Sequence, residues 1–375
     1  VFSLILGLGD NLYIIIGARP QFIKASALSR AFRVHNKSSA QKIEEIIIHT
    51  GQHFDKNMSN VFFTELEIPH PNYNLEIASL SHGAMTGRML ESIELILIDE
   101  QPDYVLIYGD TNSTLAGALA ASKLHIPIAH VEAGLRSFNM KMPEEINRIL
   151  SDKISNLLFC PTEIAVINLK NEGIVSGVHN VGDVMFDVTL HYREQAKAKI
   201  ELSKWNVTDG NYALCTIHRA ENTDNLSRLQ SIFDALREIA KELPVILPIH
   251  PRTRQLLKRL DKETWLKSIN ILEPLPFLEM LRLEMSAKVI LTDSGGIQKE
   301  AYFHEVPCIT LRDETEWVET VEMGWNKIVG ADKEKILNAY QSYDIELNKK
   351  HQQSPFGNGN TGEQILNIML SKYNI

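Results

Sequence analysis

Three carboxylate side chains lie just beyond points where short apolar runs end. Asp110 comes after Tyr104–Tyr108, Glu132 comes after Ile126–Val131, and Glu144 lies in the next loop along the chain. The carboxyl ends of parallel strands meet at one edge of a sheet, so these three side chains can reach one ligand. Partial burial and mutual repulsion would raise one carboxyl pKa, leaving a general acid beside a general base. Any one of them alone is more typical of a helix N-cap or a first-turn position, but their coincidence with His49, His53 and Arg136 favours chemistry.

Basic residues and histidines occur in the same kind of position. The segment Gly-Ala-Arg-Pro at 17–20 follows the predicted strand Leu12–Ile16, and His-Thr-Gly-Gln-His at 49–53 follows Ile46–Ile48. Arg19 can pair with phosphate oxygens, and a glycine allows the backbone to approach a ligand closely. The GxGxxG spacing of dinucleotide-binding loops is missing at this junction, so no nicotinamide cofactor is predicted.

The second half of the chain repeats this arrangement. His-Arg at 218–219 follows the predicted strand Tyr212–Thr216, and a histidine there can hold a phosphate or transfer a proton. Asp-Ser-Gly-Gly at 293–296 follows Val289–Leu291, and small residues at a helix start form an anion site suited to a diphosphate. Glu300, in the following turn, can accept hydrogen bonds from ribose hydroxyls. Two rows of such loops, one per half, predict a cleft between two domains.

One more candidate segment follows the predicted strand Cys308–Thr310. Arg312 can join the phosphate site. Trp317 either covers a base or sugar or belongs to the core of the second domain, and the sequence leaves both readings open.

The composition is that of a soluble globular protein with two domains. A length of 375 residues exceeds one ordinary core, and 44% hydrophobic with 23% charged residues is typical of globular chains. The net charge of −9 argues against nonspecific nucleic-acid binding. Three cysteines without metal-ligand spacing predict buried, reduced thiols, no metal and a cytosolic protein. The apolar Val1–Leu8 segment is too short to span a bilayer and lacks the basic flank of a signal peptide.

Strand-like and helical segments alternate along the chain, which predicts an α/β fold of doubly wound parallel sheets. We place an N-terminal Rossmann-like domain at residues 1–182, joined by a C-terminal helix at 361–375. A second Rossmann-like domain occupies residues 183–360, with Gly-Asp-Val at 182–184 as the candidate hinge.

Seven ordered motifs resemble the non-hydrolysing UDP-N-acetylglucosamine 2-epimerase family over almost the whole chain. They are Gly-Ala-Arg-Pro at 17–20, His-Thr-Gly-Gln-His at 49–53, Gly-Asp-Thr at 109–111, His-Val-Glu-Ala-Gly-Leu-Arg at 130–136, Pro-Glu-Glu-Ile-Asn-Arg at 143–148, His-Arg-Ala-Glu-Asn at 218–222 and Thr-Asp-Ser-Gly-Gly-Ile-Gln-Lys-Glu at 292–300. The resemblance implies a glycosyltransferase-B-like fold with UDP bound to the C-terminal domain, a homodimer, and a cytoplasmic role in making cell-envelope polysaccharide. It implies no cofactor, nucleic acid or membrane partner.

The resemblance also implies roles for individual residues. The implied catalytic residues are Asp110, Glu132, Glu144 and His218. The implied substrate- or nucleotide-binding residues are Arg19, Lys24, Gln52, His53, Arg136, Arg148, Arg219, His250, Phe277, Ser294, Gly295, Gly296, Glu300 and Arg312. In some relatives, residues matching Gln52 and His53 serve an additional activating UDP-sugar site, and the sequence leaves that role open.

Two motifs depart from the family pattern. The usual Gly-Thr-Arg-Pro-Glu opening is Gly-Ala-Arg-Pro-Gln at 17–21, and Thr-Glu-Arg-Pro-Glu is Thr-Glu-Trp-Val-Glu at 315–319. Trp317 therefore stands where the family has an arginine. The first departure resembles relatives that act on UDP-2,3-diacetamido-glucuronate, so two substrates stay open.

The expected activity is inversion at C2 of a UDP-hexosamine through elimination and re-addition of UDP, with a bound glycal between the two steps. Rival interpretations are a retaining glycosyltransferase, which needs an acceptor, and a hydrolysing epimerase, which releases free ManNAc. A third is a UDP-sugar sensor without catalytic activity.

Overall fold

The structure is a computed structural model that describes residues 10–52, 63–249, 251–343 and 354–373. The chain folds as two compact units. The first unit extends to Val188 and includes the segment from Ser354 onward, and the second unit is Thr189–Gln353. The chain therefore leaves the first unit, forms the second, and returns to the first.

The first unit is built on a seven-stranded parallel sheet with the order β3-β2-β1-β4-β5-β6-β7. Its strands are β1 (Asp10–Ile16), β2 (Ile43–His49), β3 (Tyr73–Asn74), β4 (Tyr104–Tyr108), β5 (Ile128–Val131), β6 (Leu157–Cys160) and β7 (Val178–Asn180). The helices found among the described residues are α1 (Arg19–Ser38), α2 (His82–Glu100), α3 (Asn112–Lys123), α4 (Pro143–Ile154), α5 (Glu163–Asn171), α6 (Val184–Lys199), which continues into the second unit, and α14 (Thr361–Tyr373).

The second unit repeats the plan with a six-stranded parallel sheet in the order β10-β9-β8-β11-β12-β13. Its strands are β8 (Ala213–Thr216), β9 (Val245–Pro248), β10 (Asn270–Leu272), β11 (Val289–Thr292), β12 (Cys308–Thr310) and β13 (Asn326–Ile328). Its described helices are α7 (Ala220–Thr223), α8 (Leu226–Ile239), α9 (Pro251–Arg259), α10 (Phe277–Glu284), α11 (Gly295–Phe303), α12 (Val318–Glu322) and α13 (Lys333–Gln341), with 3-10 turns at Leu202–Trp205 and Glu263–Leu266.

Both faces of the second sheet are covered, as its apolar strands require. Ala213 and Cys215 pack into the cluster formed with Phe233 of α8, whereas Tyr212 and Leu214 pack into the opposite cluster. This alternation follows from the two-residue period of a strand. The predicted α/β class with two doubly wound parallel sheets is confirmed.

The strand order reverses between β1 and β4 in the first unit and between β8 and β11 in the second. Such a reversal leaves a crevice at the carboxyl edge of the sheet, because successive helices pack on opposite faces there. The loops after β1 and β4 carry Arg19 and Asp110, and those after β8 and β11 carry His218 and Ser294. The fold thus brings the predicted residues to the two positions where α/β sheets bind ligands.

The C-terminal helix α14 packs on α1 within the first unit. A β-carbon at Gly362 would lie 2.9 Å from the Ala27 carbonyl oxygen, so glycine permits this close approach. The Gly362 N–H donates to Asp187 Oδ2 at 2.8 Å, which ties the helix start to α6. In the described part of the chain, no helix is both long and apolar enough to cross a bilayer.

Candidate active site

Asp110 lies directly after β4 and is held by α4. Arg148 Nη2 donates to Asp110 Oδ2 at 2.5 Å, and Asn147 Nδ2 donates to the Asp110 carbonyl at 2.9 Å. The Arg148 side chain is 2% exposed but the Asp110 side chain is 30% exposed, so the carboxylate stays open to a ligand. Glu144 lies one helical turn before Arg148, on the same face of α4. Glu144 therefore lies on the helix whose Arg148 holds Asp110.

Glu132 forms a buried ion pair with Lys24 of α1. A β-carbon at Gly109 would lie 3.1 Å from Lys24 Nζ and 3.2 Å from Glu132 Oε2. Gly109, whose φ is +60°, therefore leaves room for the pair beside Asp110. Glu132 thus lies next to the loop that carries Asp110.

The backbone of Glu132 has a φ of +71°, in the left-handed region that most residues avoid. The Glu132 N–H donates to the Phe159 carbonyl at 3.0 Å, which holds this conformation. Backbone strain of about 1–3 kcal/mol persists only where the surroundings impose it, and such strain concentrates at functional sites. It marks Glu132 as a side chain whose direction is fixed.

Behind this site, His130 and Asp152 form a buried network that the sequence analysis did not identify as functional. His130 Nε2 lies 2.7 Å from the Gly109 carbonyl, and Nδ1 lies 2.8 Å from Asp152 Oδ1. Asp152 also accepts from the Gly134 N–H at 3.1 Å and from Arg136 Nη1 at 2.7 Å. Burial opposes ionisation of Asp152, but hydrogen bonds and charge from His130 and Arg136 hold its pKa below the ordinary value. The network fixes the Gly109 turn and therefore positions Asp110.

Arg136 is the clearest difference from the sequence expectation. Its guanidinium, 1% exposed, donates to both carboxylate oxygens of Glu172 at 2.6 and 2.8 Å as well as to Asp152. The structure therefore gives Arg136 protein partners, and its expected ligand contact stays a prediction.

Of the remaining first-unit residues, Arg19 opens α1 and is half-buried. Gln52 Oε1 accepts from Ser113 Oγ at 3.0 Å, which connects it to the start of α3. His53 lies outside the described residues.

In the second unit, the buried carboxylate of Asp293 organises the loop after β8. It accepts from the backbone N–H groups of His218 and Arg219, at 3.0 and 3.1 Å, and from Asn222 Nδ2 at 3.1 Å. His218 Nε2 lies 3.9 Å from Asp293 Oδ1, and the His218 side chain is 46% exposed. Asp293 thus fixes the backbone of the His-Arg segment and leaves the imidazole accessible. The sequence analysis placed Asp293 inside a motif but gave it no role.

Ser294 and Gly296 lie at the exposed start of α11. The Ser294 N–H donates to Thr292 Oγ1 at 2.9 Å, and Gly296 is exposed. A β-carbon at Gly295 would lie 2.2 Å from Glu316 Oε1, so this position needs glycine for packing. Glu300, one turn later, is half-buried. The geometry suits an anion at the helix start.

Other predicted nucleotide-binding residues of the second unit are buried among protein groups. Arg312, 2% exposed, pairs with Glu316 at 2.9 Å. Phe277 packs edge-on against Tyr192 with ring centroids 5.5 Å apart. Trp317 is buried, and Lys299 Nζ lies 4.3 Å from its ring centroid. The core interpretation of Trp317 is thereby favoured, and a ligand contact for Arg312 stays a prediction. His250 lies outside the described residues.

The fold and both loop clusters define an α/β enzyme with two Rossmann-like units of the glycosyltransferase-B-like class. Residues 35–370 match the family model described as UDP-N-acetylglucosamine 2-epimerase. The chain belongs to this family of isomerases, and the resemblance stated from its motifs is confirmed.

Named relatives carry two substrate descriptions. A UDP-N-acetylglucosamine 2-epimerase of Methanocaldococcus jannaschii is 50% identical over 369 residues, which cover 96% of this chain and 98% of the relative. A UDP-2,3-diacetamido-2,3-dideoxy-D-glucuronate 2-epimerase of Pseudomonas aeruginosa is 54% identical over 329 residues, covering 87% and 90%. The crystal structure of M. jannaschii UDP-GlcNAc 2-epimerase in complex with UDP-GlcNAc and UDP superposes with a TM-score of 0.88 at 49% identity, covering 96% of this chain and 99% of that one.

Proposed function

We propose that this chain interconverts UDP-GlcNAc and UDP-ManNAc by elimination and re-addition of UDP. The observation that carries the proposal is the placement of Asp110 and Glu132 after the neighbouring strands β4 and β5, where Arg148 pairs with Asp110 and Lys24 with Glu132. Glu144 lies on the same helix as Arg148. The relative whose solved complex contains UDP-GlcNAc and UDP supports the same substrate.

The route follows from the chemistry of C2. Its C–H bond has no neighbouring carbonyl, so direct deprotonation would give an unstabilised carbanion. When the C1–O bond to UDP breaks as the C2 proton leaves, the electron pair of the C–H bond forms the C1=C2 double bond of a glycal. Protonation of C2 on the opposite face and return of UDP to C1 complete the inversion. Carboxylates beside C1 favour the positive charge that develops there.

We assign acid–base chemistry to the carboxylates Asp110, Glu132 and Glu144. The departing UDP acquires negative charge, and Arg19, His218 and the helix start at Ser294–Gly296 are the groups that stabilise it. The proposed acids and Arg19 belong to the first unit, and His218 and the Ser294–Gly296 helix start belong to the second.

Solvent hydrogen should enter C2 of the sugar during turnover. In deuterated water, wild-type protein and UDP-GlcNAc should give UDP-ManNAc labelled at C2, because the proton that is returned comes from a carboxyl group in exchange with solvent. Proton NMR of the product measures this directly. A product that keeps all of its original hydrogen at C2 would exclude the elimination route.

The alternative substrate is UDP-2,3-diacetamido-glucuronate. It is supported by the 54% identity to an enzyme named for it and by the Gly-Ala-Arg-Pro-Gln opening. To decide between them, the protein is incubated with each UDP-sugar alone and the anomeric NMR signals are recorded. The UDP-sugar that gives the signals of its C2 epimer is the substrate. A glycosyltransferase would give no product without an acceptor, and a hydrolysing epimerase would release free ManNAc and UDP.

We also propose a homodimer formed through exposed apolar side chains of the first unit. Leu95 and Ile98 of α2 and Ile146 and Leu150 of α4 are each 41–61% exposed, and both helices pack on α3. A contiguous apolar patch on neighbouring helices would be typical of a protein–protein interaction site.

Sedimentation should give twice the chain mass of 42.4 kDa. Leu150→Asp should shift the mass towards a single chain, because a charge would be buried in the interface. Val34→Asp on α1, where Val34 is 62% exposed, is the matched control and should stay dimeric. A wild-type protein that sediments as one chain contradicts the proposal.

The three cysteines are unpaired and buried, as is usual in a reducing compartment. We therefore propose that the enzyme is cytoplasmic. From the family resemblance we also propose that it supplies an amino sugar for cell-envelope polysaccharide.

A further inference from the structure

Gln21 makes four hydrogen bonds although its side chain is almost completely buried, at 1% exposed. Its Oε1 accepts from the backbone N–H groups of Gly17 at 2.9 Å and Ala18 at 3.0 Å. Its Nε2 donates to the Tyr108 carbonyl and to Thr114 Oγ1, both at 3.0 Å. Because two partners are N–H donors and one is a carbonyl, the orientation of the amide is fixed by its surroundings.

These contacts join two loops that are far apart in sequence. Gly17 and Ala18 immediately precede Arg19, whereas Tyr108 is the last residue of β4 and leads into Gly109 and Asp110. The strands β1 and β4 are neighbours at the point where the strand order reverses. The Gln21 amide therefore bridges the loops that carry the proposed anion-binding arginine and the proposed acid–base carboxylate.

We propose that Gln21 is a positioning residue of the epimerase reaction, holding the Arg19 loop against the end of the strand that presents Asp110. This inference rests on the proposed function. Gln21 acts through its neighbours, because its buried side chain has no surface to offer a ligand. A displacement of about 1 Å in a reacting group costs up to about a hundredfold in rate.

The amide has a chemical advantage over a glutamate at this position. A carboxylate would place an oxygen against the Tyr108 carbonyl oxygen and could donate there only when protonated. The charged groups of the two loops that Gln21 joins are Arg19 and Asp110, and Lys24, one turn after Gln21 on α1, is paired with Glu132. The amide keeps the bridge intact at any pH at which the enzyme is folded.

The test compares wild-type protein with Gln21→Glu and Gln21→Leu, measuring kcat and KM from about pH 6 to about pH 9. We expect Gln21→Leu, which loses all four hydrogen bonds, to lower kcat/KM about tenfold or more at every pH. Gln21→Glu should match that loss at high pH and recover as the pH falls, because protonation restores the donor to Tyr108.

Gln364→Glu on α14 makes the same chemical change at a more exposed glutamine that hydrogen-bonds Asn360, and it should keep the wild-type profile. A Gln21→Glu profile parallel to wild type at every pH would overturn the positioning role, even if its thermal midpoint fell. If wild-type protein epimerises neither UDP-sugar, the proposed function fails instead. The positioning role is then judged by UDP affinity, which Gln21→Leu should weaken and Gln364→Glu should not.

Discussion

Replacing Asp110 by asparagine should lower kcat by a hundredfold or more, with UDP affinity nearly unchanged. Asparagine has the same shape and can still accept from Arg148 Nη2, so the contact to α4 is kept while the proton-transfer group is lost. Loss of a positioned general acid or base costs about a hundredfold to ten-thousandfold. Steady-state epimerisation and calorimetric binding of UDP measure the two quantities separately.

Asp103→Asn is the matched control for this variant. Asp103 lies at the amino end of β4, is exposed, and accepts from the Asn11 N–H at 3.0 Å, which an asparagine oxygen can replace. The same chemical change at the opposite end of one strand should leave turnover unchanged. Turnover of Asp110→Asn within a few-fold of wild type would remove Asp110 from the acid–base set.

The second large effect is on stability. Asp152→Asn should lower the free energy of unfolding by about 3–5 kcal/mol, because Arg136 and His130 lose a buried carboxylate that both contact. The asparagine nitrogen must face either the His130 nitrogen on one side or the Gly134 and Arg136 donors on the other. Such a loss is a large fraction of the roughly 5–15 kcal/mol typical of whole domains. Urea unfolding followed by circular dichroism measures it.

Glu172→Gln is the matched control, because it removes a charge from the same network at its exposed end. It should lower the free energy of unfolding by about 1 kcal/mol or less, because the Glu172 side chain is 34% exposed.

The pH dependence of stability gives a second check. The folded-state pKa of Asp152 is lowered, so its stabilisation is fully present above the ordinary aspartate pKa near about 4 and is lost as the pH falls towards the folded value. Asp152→Asn should lack this acid-dependent loss, and equal midpoints for the two variants would refute the buried-network argument.

Much of the fold could be predicted because buried parallel strands are continuous apolar runs. Tyr104–Tyr108 was predicted with its observed bounds. The strands Tyr73–Asn74 and Asn326–Ile328 were not predicted, because two or three residues carry no apolar pattern and exist through pairing with β2 and β12. The predicted strand at Ile126 begins at Ile128 instead, after Pro127, which has no N–H to pair.

For the site, sequence identifies which residue types follow a strand but not which way a charged side chain points. Arg136 and Arg312 follow predicted strands, as Arg19 does. In the structure, however, both are buried, Arg136 paired with Asp152 and Arg312 with Glu316. Asp152 is 16 residues from Arg136 and 22 from His130, so this network is a product of the fold and has no local sequence signal. Asp293 could have been found, since a carboxylate between a buried strand and a helix start lies within reach of N–H donors of the neighbouring loops.

The return of the chain from the second unit to form α14 has a practical consequence for dissecting this enzyme. A fragment ending at Val188 would lack helix α14, which packs on α1, and would lose the close contact of Gly362 with Ala27. To express the first unit alone, the last twenty or so residues would have to be fused to this fragment through a linker. The second unit, by contrast, is one uninterrupted stretch of polypeptide, Thr189–Gln353, and its amino end lies within helix α6.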